Sequence, residues 1–102
     1  MPLIARGSAF FVRRMEPRDY SIDLMKRVVA GQISVGDFCS GYEHHFNFDW
    51  PDRRDCRDIQ LFQELFDEVV YFSPFPRETW EYPKYRSADE ILSHVSQTLA
   101  KL

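Results

Sequence analysis

Residues 34–46 read SVGDFCSGYEHHF, and two incompatible readings compete for them. Cys39, Glu43, His44 and His45 are gathered for metal binding or acid–base chemistry, with Asp49 and Cys56 close behind. Alternatively, the stretch is an amphipathic helix whose surface happens to carry those residue types. Periodicity decides between them. Val35, Phe38, Cys39, Tyr42, His45 and Phe46 recur at helical spacing and make one continuous apolar stripe. Ser34 with Asp37 three residues on is a capping box with the shorter acid, so Ser34 starts the helix. The spacing predicts a helix over 35–48 that exits at Pro51, with Phe38, Cys39, Tyr42 and Phe46 toward a core. His44 lies about 100° round from His45 on a helix and is expected in solvent. Gly36 and Gly41 each weaken such a helix by about 1 kcal/mol against Ala, and would permit a close helix–helix approach.

The helical reading dismantles the chemical one. Cys39 and Glu43 are one turn apart, but Cys39 and His45 belong to the core stripe. At most two ligand types share a face, where a structural zinc needs four converging ligands. No H-E-x-x-H, C-x-x-C or zinc-finger Cys/His spacing occurs. A thiol nucleophile normally takes its histidine from a distant segment, so Cys39 with His44 or His45 is too local. No nucleophile elbow or phosphate-cradling glycine loop is present. Asp67–Glu68 and Asp89–Glu90 are acid pairs on expected solvent faces, where nothing shifts them toward acid–base work. No catalytic residue, no metal and no cofactor are therefore expected. Cys39 is read as a small core residue.

Flanking segments repeat the helical pattern. Ile22, Met25, Val28 and Val29 mark a first helix over about 20–30, capped by Asp19 or Ser21 and ended by Gly31. Ile59, Phe62, Leu65, Phe66, Val69 and Phe72 mark a third over 55–72. Ser87 and Glu90 form a true S-x-x-E box that opens a fourth over 88–101, with Leu92, Val95, Leu99 and Leu102 on one face. Between the last two, SPFPRETWEYPKY carries three prolines and cannot be a regular helix or central strand. It is expected to be a long structured loop pinned by Phe75, Trp80, Tyr82 and Tyr85. The predicted fold is all-α: a four-helix bundle with a long aromatic and proline-rich loop before the last helix.

A length of 102 residues allows one modest core, and nine Phe, five Tyr and two Trp supply much of it. Residues 1–18 carry four arginines against Glu16 and read as a flexible basic arm that the fold does not require. Residues 19–102 carry nine Lys or Arg against fifteen Asp or Glu and form the helical domain. AFFV is too short for the apolar core of a signal peptide, and no run is long enough for a membrane helix. With only two cysteines in no paired pattern, the expected setting is the cytoplasm, with no membrane contact.

An acidic body argues against direct nucleic-acid binding, because phosphates need a cationic surface. It suits a basic partner or simply aids solubility, and charge alone gives more weight to solubility. Position adds to it. Glu64, Asp67 and Glu68 run into Glu78 and Glu81 on the loop, interleaved with Tyr71, Trp80 and Tyr82. Carboxylates steer a cationic surface and aromatics anchor it. The plainer alternative is that the aromatics only fold the loop onto the bundle. Glu64, Asp67, Glu68, Glu78, Trp80 and Glu81 are the candidate partner-binding residues.

The order of SIDLMKRVVAGQISVGDFCSGY, LFQELFDEVVYFSPFP and ADEILSHVSQTL resembles the colicin D immunity family of bacterial self-protection proteins. The likeness covers roughly residues 20–102. It rests on a G-x-I-S-x-x-[DE]-F start to the second helix, an E-L-F helix ending in aromatic-x-P, and a capped last helix. It implies a four-helix bundle without enzymatic activity. It also implies that the protein binds the nuclease domain of a cognate toxin, typically one that cleaves transfer RNA, and covers its basic cleft with carboxylates. The family's acids lie around the end of the E-L-F helix and the following loop, where this chain has Glu64, Asp67, Glu68, Glu78 and Glu81. Ser73 and Phe75 depart from the pattern by flanking Pro74 where an acid is expected. A monomer is the expected state. The competing readings are a helical interaction or regulatory bundle with another partner, and a metal or thiol enzyme using Cys39, Glu43 and His44.

Overall fold

The computed structural model describes residues 15–102. Four helices make up the bundle: α1 (Pro17–Val29), α2 (Val35–His44), α3 (Ile59–Val69) and α4 (Ala88–Lys101). The fold is all-α, as the sequence predicts. α1 packs on α4 and α2, and α3 packs on α4 and α2. The described residues contain no strand, only an isolated parallel bridge between Phe72 and Arg86.

α2 organises the core. Its Ser34 Oγ accepts from the Asp37 N–H, so Ser34 is the N-cap as expected, but only this half of the expected capping box is formed. Phe38, Cys39, Tyr42 and Phe46 are all buried, and His44 is exposed. Beyond His44 the chain continues through one wider π-type turn, His45–Asp49. That turn puts His45, Phe46 and then Trp50 inward and expels Phe48, which is 74% exposed. Phe46 stacks on Phe66 at 4.6 Å, and Trp50 meets Phe62 edge-on at 5.2 Å. Each such buried ring contributes about 1.5–3 kcal/mol, which is how a small aromatic-rich domain reaches stability. Tyr42 Oη donates to the Phe62 carbonyl at 2.8 Å, so the phenol is buried with its polar atom satisfied.

Several boundaries differ from the sequence reading. α1 begins at Pro17, not Tyr20, because proline at N1 gives up an N–H that has no helical partner there anyway. Neither Asp19 nor Ser21 caps it. Glu16 is the N-cap without a side-chain bond, and Ser21 is buried against the bundle. Most of the expected basic arm, residues 1–14, lies outside the described residues, but Pro17 and Arg18 are helical. Arg18 Nη2 bonds the Asp58 carboxylate at 3.0 Å and ties α1 to the start of α3. Val29, the last helical residue, is 47% exposed, so the buried stripe runs through Ser21, Met25 and Val28 instead. Gly31 takes the left-handed terminating position with φ 77°, as expected.

α3 begins at Ile59, four residues later than expected. Arg53–Asp55 form a short 3-10 turn instead, and Asp58 stands at the N-cap with φ 66°. Gly41 forces no close helix approach: a Cβ there would meet Leu24 at 3.9 Å, an ordinary contact.

Candidate binding surface

α3 leaves the core at its C-terminal end, and the residues after Val69 build the loop's base. Ser73 N–H donates to the Arg86 carbonyl at 2.9 Å, and Arg86 N–H donates to the Tyr71 carbonyl at 2.8 Å. These bonds bring the two ends of the loop together. Inside it the rings form a chain. Tyr71 meets Tyr82 at 5.6 Å, Tyr82 meets Tyr85 at 5.4 Å, and Tyr85 meets Trp80 at 6.0 Å. Trp80 Nε1 donates to the Phe75 carbonyl at 3.0 Å, and the Arg77 guanidinium lies over the indole at 4.5 Å. Trp80, Tyr82 and Tyr85 thus pin the loop as expected. Phe75 does not, being 69% exposed.

The six sequence candidates separate into two groups. Glu64 and Asp67 are exposed one turn apart on α3, held only by neutral partners: Gln60 Nε2 reaches Glu64 at 3.3 Å and Gln63 Nε2 reaches Asp67 at 3.0 Å. Glu78 and Glu81 are exposed on the loop, with no cationic side chain within ion-pair distance among the described residues. Among the described residues, none of these four carboxylates has a cationic partner. Glu68 and Trp80 are different. Glu68 Oε1 accepts from Arg86 Nε and so ties α3 to the loop's return, with His94 Nδ1 of α4 3.9 Å away. Trp80 is half-buried by its own loop.

Arg77 within the loop and Arg86 at its return are both engaged. Arg77 Nη2 bonds Glu90 at 2.7 Å. Bonding to Glu68 raises the already high value of Arg86. Glu90 is held below the usual carboxylate range first by the Ser87 N–H and then by Arg77. Sequence reasoning left Arg77 and Arg86 out, since nothing in their spacing announces partners 13 and 18 positions away. It also left out Val70 and Phe75, both exposed apolar side chains.

The Cys39–Glu43–His44 alternative finds no assembly. The described residues contain no group of three or more Cys, His, Asp or Glu placed to hold a metal. Burial, and after it the Glu43 charge, push the Cys39 thiol up to about 12, the wrong direction for a nucleophile. His44 points outward beside Phe48, 3.8 Å from Asp49. His45 points the other way, its Nε2–H donating to the Pro17 carbonyl at 2.9 Å. Among the described residues no helix is long and apolar enough to cross a membrane. Comparison of the chain with known protein families, curated proteins and solved structures finds no match.

Proposed function

We propose that this protein is a non-enzymatic inhibitor that binds the basic nuclease domain of a cognate bacterial toxin, as the resemblance to colicin D immunity proteins implies. One observation carries the reading. Glu64, Asp67, Glu78 and Glu81 are exposed and have no cationic partner among the described residues, while the nearby Arg77 and Arg86 are engaged elsewhere. The half-exposed Tyr71–Tyr82 pair lies on the same loop base and offers a rigid aromatic anchor. A nuclease cleft built for phosphates is cationic, and exposed carboxylates occupy the phosphates' place.

Of the six candidates, Glu64, Asp67, Glu78 and Glu81 face the partner; Glu68 and Trp80 hold the surface in shape. The test pairs this protein with the product of the adjacent upstream gene. The wild type should block that product's RNA cleavage and protect cells expressing it. Reversing Glu64, Asp67, Glu78 and Glu81 to Lys should slow association by about tenfold or more at low salt, with the gap shrinking as salt rises. Undiminished inhibition by the reversed protein would place the interface elsewhere. RNA cleavage unaffected by the wild type would leave a bundle with a different partner.

A further inference from the structure

A second feature stands apart from the acids of α3 and the loop. Between α2 and the end of α3 runs a groove of about 430 Å³. Its floor is apolar, made by the buried Cys39 and Val69 with the half-buried Phe72 ring. Its rim carries two exposed carboxylates, Asp37 and Glu43, both from α2. Among the described residues no Lys, Arg or His lines it. Neither carboxylate has a cationic partner within 4.0 Å among the described residues. At Gly36 the wall has no side chain, and a Cβ added there would sit 3.9 Å from the Phe72 ring.

Size and chemistry narrow the occupant. The volume lies near the low end of the roughly 300–1,000 Å³ typical of ligand pockets, which suits one side chain better than a large ligand. Two carboxylates at the mouth repel an anion and give a neutral apolar group no advantage. A long side chain with an apolar stem and a cationic head satisfies both floor and rim. We infer that this groove is a socket for one lysine or arginine side chain of the basic partner. The inference rests on the proposal of a basic partner and adds Asp37 and Glu43 to its contact surface. The stem lies along Val69 and Phe72 while the head pairs with Asp37 or Glu43, which stand about 9 Å apart along α2.

N-acetyl-arginine methylamide and N-acetyl-lysine methylamide, each titrated into the protein, are the probes, with the neutral citrulline analogue as control. Backbone amide NMR shifts at Gly36, Ser40, Glu43 and Val70 should move and saturate with at least one cationic probe and stay still with citrulline. The Asp37→Asn/Glu43→Gln double variant should weaken that binding by about fivefold or more. Gly36→Leu, which fills the groove but keeps both carboxylates, should abolish it. Equal shifts with citrulline, or full binding by Gly36→Leu, would overturn the socket. If Gly36→Leu loses its amide dispersion, the isosteric double variant decides alone, since it changes only exposed groups. Shifts confined to Glu64, Asp67, Tyr71 and Tyr82 sink the socket but leave the inhibitor reading intact. Saturable groove binding by a protein that inhibits no toxin does the reverse.

Discussion

Cys39 shows how far one side chain's surroundings decide its role. It is 5% exposed on the inward face of α2, and its thiol stays protonated through the physiological range. Cys39→Ser should therefore cost about 1–3 kcal/mol, because a hydroxyl in that packing lacks a good partner. A lowered urea midpoint, with unchanged inhibition by the folded fraction, is the expected result; stoichiometric zinc lost on substitution would contradict it. The residues legible from sequence are those fixed by helical period, such as Phe38, Cys39, Tyr42 and Phe46. Glu68 was not separable from Asp67 that way. What distinguishes them is Arg86, 18 positions on, and no local period reports a contact made by a returning loop.

Among the elements, α4 is the one whose limits the sequence specifies best, but its buried face is Ile91, Val95 and Thr98. Of the expected face only Val95 is fully buried, Leu92 and Leu99 are half-buried, and Leu102 is exposed. Ser87 Oγ accepts from the Glu90 N–H at 3.2 Å and Glu90 returns the bond to the Ser87 N–H at 2.9 Å. Glu90 Oε1 also holds Arg77, which lies over Trp80, so the cap of α4 and the order of the loop share one carboxylate. Ser87→Ala should cost about 1 kcal/mol in thermal unfolding. It should also speed hydrogen exchange in residues 77–86 more than in α1, and uniform exchange changes would deny that link. α3 misleads at its start for a physical reason. Asp52, Asp55 and Asp58 all look like helix-start acids, and only the left-handed backbone at Asp58 selects Ile59 as the first helical residue.

The whole molecule is joined at one end by His45. Its ring packs between Tyr20 at 4.6 Å and Trp50 at 5.7 Å, and its bond to Pro17 fastens α1 to the wide turn after α2. Burial lowers its proton affinity below the ordinary value of 6.5, against opposing contributions from the Pro17 carbonyl and Asp49. As pH falls below about 6.5 the unfolded chain takes up this proton before the folded one, so the stabilisation present at neutral pH drains away. Urea midpoints should fall between pH 7 and 5 in the wild type and fall less steeply in His45→Gln. Identical slopes would remove His45 from the pH response. At the opposite pole of the chain's design is the pairing of Phe72 with Arg86, which returns the loop to its own point of departure. A segment closed at its neck transmits little strain to its scaffold, and doubling the length of such a loop costs only about 0.6 kcal/mol in closure entropy. Apart from Arg77 and Trp80, whose contacts reach the cap of α4, residues 73–85 therefore form a cassette that can lengthen, shorten or change sequence while the helices beneath stay the same.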